Sequence, residues 1–351
     1  MSKGIRADRR ANHVSVHRRD FLKGVGGFTL ATLGGVGGIL SACNPARSAV
    51  RTAQPLALQL NWIRNVEFAG NWSAMEHGYY QEEGVDLSII DWAPTIEPIQ
   101  NVASGTAQIG FVSNGLTIAS ARANGIPVKA FGAGFQKSPG GLVTLKEQNI
   151  TTPADLVGKV VGIQQTGRLT WDAFAAVNNL QKVETFVVGF DATPLVAGQV
   201  DAYMGYVTNQ PYALAQQGIE TNFMYYADYG FPRYDLVAFA TDKVLANNKE
   251  LIVGWFRATI RGWQYVFEHP DEVAKLVVEK YGKDLDLEQQ KAELQTQIAL
   301  MQSAATQEHS LFWMGQDVWQ AGVDRLKSIG ELPDSLSVDE FVTMEILEAV
   351  G

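Results

Sequence analysis

The chain has 351 residues, 46% of them hydrophobic and 19% charged, a composition that fits a folded protein with a sizeable core and excludes an intrinsically disordered one. That length suffices for two domains of ordinary size. A formal net charge of -9 without a basic run argues against a nucleic-acid partner, and solubility is enough to account for the acidity.

The first 23 residues are basic and polar and end in Arg18-Arg19-Asp20-Phe21-Leu22-Lys23. An apolar, glycine-rich stretch of about 17 residues follows from Gly24 to Leu40, weakly hydrophobic and near the lower limit for a membrane span. A basic region, an apolar region and small residues before a cleavage point predict a signal peptide over 1–42. The Arg-Arg-x-Phe-Leu-Lys run resembles the twin-arginine export signal, with His17 where that signal often has Ser or Thr. Leu40-Ser41-Ala42-Cys43 resembles a bacterial lipobox, which implies a diacylglycerol (palmitate-type) anchor on Cys43. Cys43 is the only cysteine, so no second thiol exists for a disulfide. Residues 43–54 are small and polar and read as a lipid-anchored linker. Removing 1–42 leaves 21 basic and 35 acidic residues, a net charge of about -14.

Leu56 to Leu60 is a short apolar run of strand length, and it stops at Asn61-Trp62-Ile63-Arg64-Asn65. Phe68 to His77 reads as a helix with Gly78 as its C-terminal cap. Val85 to Ile90 alternates as a second strand. Ile96 to Ser104 is a helix closed by Gly105, Ala107 to Val112 a third strand, and Ser113-Asn114 cap the helix that ends near Asn124-Gly125. Val128 to Ala133 is a fourth strand. The pattern restarts after Leu142-Val143-Thr144-Leu145. Thr152 to Leu156 opens a short helix, Lys159 to Ile163 is a strand, Trp171 to Leu180 a helix, Thr185 to Val188 a strand, and Gly198 to Tyr206 runs from a turn into a strand. Leu236 to Ala240 is a return strand. From Leu251 onward apolar residues recur at helical spacing, over Ile252–Phe267, Asp271–Tyr281 and Leu287–Met301.

Strands alternating with helices at this spacing predict an α/β protein with parallel-type sheets. The interruption predicts two lobes, 55–143 with 241–351 and 144–240, joined by two hinge crossovers near 142–149 and 235–240. Ligands of such sheets bind at the carboxyl ends of strands, so the cleft between the lobes is the expected site.

Three segments carry a family resemblance: Leu60 to Asn65 with Gly70 and Gly78 to Leu87; Ala103 to Gly110; and Val200 to Pro211. Together they look like solute-binding proteins of ABC importers in the thiamine-pyrimidine-precursor, riboflavin, nitrate and alkanesulfonate group, over about 55–330. The resemblance implies the type II periplasmic-binding fold, a small-molecule ligand, permease and ATPase partners, and a place on the extracytoplasmic face of the cell membrane. It leaves the ligand open among riboflavin, a thiamine pyrimidine precursor, nitrate and an alkanesulfonate. A surface receptor that signals from the same binding event is the reading outside import.

In the family the loop after the first strand lines the pocket, which puts Asn61, Trp62, Asn65 and Phe68 there. Pyrimidine-precursor binders commonly have His at the position of Phe68 and often Glu at that of Gln210. Phe68 offers stacking only, and Gln210 offers both a donor and an acceptor. These departures suit a ring that alternates carbonyl and N–H groups across a broad apolar face, as an isoalloxazine does, and make riboflavin the first expectation. Trp92 joins Trp62 and Phe68 as a candidate stacking residue, although core packing explains any one aromatic equally. Tyr206, Asn209 and Gln210 fall in the family's second-lobe binding segment. Ser113, Asn114, Gln165 and Thr166 precede helices, where their backbone N–H groups suit a polar substituent or simply cap the helix. Arg64 and Arg168 are the cations a small anion would need, or solvated loop residues.

No enzyme is expected. The five histidines form no metal-binding pattern, no thiol remains after lipidation, and neither a Gly-x-Ser-x-Gly elbow nor a Walker-type loop is present. The family includes a fungal branch that builds the thiamine pyrimidine with a cysteine-rich iron motif, and this chain lacks those cysteines. No cofactor and no metal are expected.

Overall fold

The structure, a computed structural model, describes residues 53–350; the signal peptide, the lipobox with Cys43 and most of the linker lie outside the described residues. Ten strands form two five-stranded sheets. In chain order they are β1 (Gln54–Gln59), β2 (Val85–Ile90), β3 (Ile109–Val112), β4 (Val128–Phe135), β5 (Gly140–Leu145), β6 (Val160–Ile163), β7 (Glu184–Val187), β8 (Ala202–Tyr206), β9 (Thr221–Tyr225) and β10 (Asp235–Thr241). The first sheet has the order β2-β1-β3-β10-β4 and the second β7-β6-β8-β5-β9. The α/β expectation holds, with each sheet mixed: β1 pairs in parallel with β2 and β3, and β6 with β7 and β8. The strands next to the crossovers run the other way, β10 against β3 and β4, and β5 against β8 and β9.

The chain leaves the first sheet through 136–139 and returns through 226–234. The sequence sets these crossovers later, near 142–149 and 235–240, where the structure has β5 and β10. Both segments are apolar and extended, and the apolar pattern does not say which sheet a strand joins. β5 thus lies in the second sheet from residue 140, and β10 in the first from residue 235.

β4 and β10 are buried almost throughout because helices cover both faces of the first sheet. One of these, Lys249–Glu268, crosses the Ala69–Glu76 helix at Gly262 and Gly70. A Cβ at Gly262 would collide with the Gly70 carbonyl, and one at Gly70 with the Trp263 ring. This close crossing fixes the short helix, and with it the turn that precedes it, against the sheet. The Leu287–Met301 helix packs on that same turn, on β4, and across the cleft on the Gln210–Ala215 helix.

Candidate functional site

A cavity of about 490 Å³ lies between the sheets, within the range of roughly 300–1,000 Å³ typical of small-molecule pockets. Loops after β1, β2, β3, β6, β7 and β8 all reach it, so the carboxyl ends of the parallel strands from both lobes converge on one space.

The loop after β1 shows how local structure aims a side chain. Asn65 is extended and caps the one-turn helix Val66–Phe68, its Oδ1 accepting from the Glu67 N–H at 3.0 Å. Val66 N–H donates to Gln290 Oε1 at 3.1 Å, Gln297 Nε2 donates to the Glu67 carbonyl at 2.9 Å, and Trp72 Nε1 donates to the Asn65 carbonyl at 2.9 Å. Held this way, the turn buries Val66 and Phe68 in the core and places Glu67 on the cavity wall.

Glu67 and Glu293 are both buried and both line the cavity. Burial pushes the Glu67 carboxyl up to about 7; the hydrogen bond from Asn61 Nδ2, at 3.1 Å, opposes the rise, and the charges of Asp235 and Glu293 add to it. Burial likewise takes Glu293 to about 7 against hydrogen bonds from Gln289 and Gln290, at 2.6 and 3.0 Å.

A second polar group spans the crossovers. Arg233 grips the fully buried Asp235 through Nε and Nη2, at 2.8 and 3.2 Å, and Ser138 Oγ donates to Asp235 at 2.9 Å. The Tyr206 hydroxyl sits 2.9 Å from Asp235 Oδ2 and 3.0 Å from the Ser113 carbonyl. It has one proton to give, and the carboxylate is the stronger acceptor.

Three rings close one side of the cavity. Trp62 and Trp92 stand on lobe-one loops with centroids 4.7 Å apart, and Phe190, on the loop after β7, lies 5.3 Å from each. Phe190 is 37% exposed, so the cluster lies between solvent and the interior.

Of the residues singled out in the sequence, Asn61, Trp62, Asn65, Trp92, Ser113, Asn114, Gln165, Thr166, Tyr206, Asn209 and Gln210 all line the cavity. Asn114 both caps and bridges: its Oδ1 accepts from the Leu116 N–H at 3.0 Å and its Nδ2 donates to Thr170 of the other lobe at 3.0 Å. Gln210 spends its Oε1 on the Tyr206 N–H, at 2.8 Å. Phe68 is the exception. It is fully buried, packs on Trp72 and Phe111, and is not among the lining residues. The last residue of the capped turn meets the core, and the acid before it meets the cavity. Arg64 and Arg168 pair with Asp91 and Asp172 and do not line the cavity.

The sequence did not single out Glu67, Phe190, Tyr226, Arg233, Glu293 or Gln297. A signal exists for two of them: Gln290, Glu293 and Gln297 recur at helical spacing on the face that also carries Leu294 and Met301. Among the described residues no three His, Cys, Asp or Glu side chains come together as metal donors, and no helix is long and apolar enough to cross a membrane.

The NMT1/THI5 like family model matches residues 65–273. The formylaminopyrimidine-binding protein of Halalkalibacterium halodurans is 28% identical over 232 residues, 64% of this chain and 70% of that protein. The riboflavin-binding protein RibY of Chloroflexus aurantiacus is 27% identical over 315 residues, 86% of this chain and 89% of that one. A 4-amino-5-hydroxymethyl-2-methylpyrimidine phosphate synthase of Legionella pneumophila is 30% identical over 63% of this chain and 72% of its own length. Among solved structures, the periplasmic aliphatic sulphonate binding protein SsuA of Escherichia coli superposes with a TM-score of 0.63 at 14% identity, over 83% of this chain and 92% of that one. The periplasmic nitrate-binding protein NrtA of Synechocystis does so with a TM-score of 0.62 at 12% identity, over 85% and 88%. The chain thus belongs to the NMT1/THI5-like family and carries the two-lobed fold of periplasmic binding proteins.

Proposed function

We propose that this protein is the solute-binding component of an ABC importer, held on the extracytoplasmic face of the cell membrane through a lipid on Cys43, and that it captures riboflavin. The cavity carries the reading: about 490 Å³, an aromatic cluster on one side and, elsewhere, amide and hydroxyl side chains beside the acids Glu67 and Glu293 and the Arg233 guanidinium. A flat ring with an apolar face and alternating polar edges matches both walls. The match to RibY over most of both chains supports the same choice. Binding alone is the proposed role: the chain's one cysteine, Cys43, precedes the fold, and no histidine lines the cavity.

Riboflavin fluorescence tests this directly. Titration with the purified protein should give saturable quenching in the low micromolar range or tighter. The absence of quenching would remove riboflavin. A second ligand has its own supporting observation. Glu67 and Glu293 put two carboxyl groups on the wall, and a carboxylate takes an aminopyrimidine's amino group and ring nitrogen in charge-assisted hydrogen bonds. A thermal shift with formylaminopyrimidine and none with riboflavin would select that reading.

A further inference from the structure

Three buried polar atoms of residues on the cavity wall lack partners among the described residues: one acceptor, Asn61 Oδ1, and two donors, Arg233 Nη1 and the Tyr226 hydroxyl. Arg233 is 5% exposed and commits Nε and Nη2 to Asp235, while its buried Nη1 has no hydrogen-bond partner. Tyr226 is 1% exposed, and its buried hydroxyl is also unpaired. The guanidinium carbon lies 5.4 Å from the centroid of the Tyr226 ring, so the two groups share one end of the cavity. Burial pushes the Tyr226 hydroxyl well above its ordinary range, which keeps it a donor. Gly140 completes this end; a side chain there would meet Arg233 Nη2 at 2.5 Å. An unpaired buried donor is costly, so a ligand acceptor that reaches both is strongly favoured.

The charge of the cavity says what kind of acceptor that is. Arg233 is the one cation among the described residues that line it, and Asp235 already matches its charge. Glu67, Glu97 and Glu293 add acidic groups and no cation. A free anion would bring a further negative charge into a buried site whose positive charge is spent. A carbonyl oxygen has two lone pairs and no net charge, and it can accept from Nη1 and from the Tyr226 hydroxyl together.

We propose that the Arg233–Tyr226 end of the cavity seats an uncharged carbonyl oxygen of the ligand, and that the site thereby takes neutral, carbonyl-bearing rings and refuses free anions such as nitrate and sulfonates. This rests on the reading of the cavity as a heterocycle site.

Tyr226→Phe tests it, because the substitution removes an unpaired hydroxyl and nothing else. Calorimetric titrations would use riboflavin and formylaminopyrimidine as carbonyl-bearing probes, the deformylated aminopyrimidine as a carbonyl-free probe, and nitrate and ethanesulfonate as anions. Y226F should weaken whichever carbonyl-bearing ring binds by about five- to tenfold, in line with one lost hydrogen bond. It should change the carbonyl-free probe less than twofold, and the empty variant should melt no lower than the wild type. Equal affinity of Y226F and wild type for the carbonyl-bearing ring overturns the assignment while leaving the heterocycle reading intact. So does tighter binding of nitrate or ethanesulfonate than of any ring. A wild-type protein that binds none of the rings overturns the functional reading, and the assignment falls with it.

Discussion

Glu67 and Glu293 each stand at about 7 in the folded protein against an ordinary 4.5, and that difference ties stability to pH. Each carboxyl holds its proton more tightly folded than unfolded. The stability this contributes is complete below about pH 4.5 and is lost as pH rises through about 7, by at most about 3 kcal/mol per group. Glu67→Gln removes one titration while keeping an acceptor for Asn61. Its melting temperature relative to the wild type should therefore climb between pH 5 and pH 8, and parallel pH profiles would show that Glu67 is not held near neutrality. Phe68 and Trp62 make a second contrast, six positions apart on one loop. Phe68→Ala should cost about 3–5 kcal/mol in urea unfolding, as a large core truncation does, with little change in the ligand affinity of the folded fraction. Trp62→Ala should leave unfolding nearly unchanged and weaken the ligand tenfold or more; a swap of these two outcomes would put Phe68 at the ligand after all. At this scale the sequence reveals position better than burial. Asn61, Trp62 and Tyr206 are legible through the family resemblance, whose binding segments fall at the ends of apolar strands. Glu67 and Arg233 are not, since an isolated acid or arginine looks solvated until the fold removes the water around it.

The strands and helices that pair locally are the ones the apolar pattern reveals. β1, β2 and β6 emerge from their own alternation or apolar runs, and the Leu287–Met301 helix has the same ends in sequence and structure. β9 escapes because it is a sheet edge with only Met224 buried, and the direction of β10 escapes because its antiparallel pairing depends on a chain returning from the other lobe. The loop after β7 is the element with the largest consequence that sequence did not supply. Phe190 is its one aromatic and touches two tryptophans across the cleft. Edge-on aromatic pairs are worth about 0.5–1.5 kcal/mol each, so the pair of contacts is enough to hold the closed form about tenfold longer. Phe190→Ala should speed ligand dissociation by about that factor in stopped-flow fluorescence and leave association nearly unchanged. A faster association with an unaltered dissociation rate would make Phe190 an obstacle to entry instead of a latch.

Across the whole molecule the lobes meet through few polar contacts. Asn114 reaches Thr170, Tyr206 reaches Ser113 and Asp235, the Tyr212 hydroxyl lies 2.5 Å from that of Thr296, and Gln216 donates to Asp286 at 2.7 Å. A neutral hydrogen bond contributes about 0.5–1.5 kcal/mol net and one to a carboxylate such as Asp235 about 1.5–3, and the two-lobed fold predicts that the empty protein exchanges between a closed state that keeps these bonds and an open state that lacks them. Moving such an equilibrium from 1:99 to 99:1 takes about 5.5 kcal/mol of differential affinity, which only a ligand gripped by both lobes supplies. Tyr212 lets closure be separated from contact, because it joins the lobes without lining the cavity. In Tyr212→Phe every ligand-facing group is intact, yet the closed fraction falls. The apparent affinity should drop about two- to tenfold, and the radius of gyration of the empty protein from small-angle scattering should rise while that of the saturated protein stays at the wild-type value. If affinity falls with no change in the empty protein's radius, Tyr212 acts on the bound state alone and the lobes are not balanced as described. If neither quantity moves, the Tyr212–Thr296 contact carries no closing energy and the remaining cross-cleft bonds must supply it.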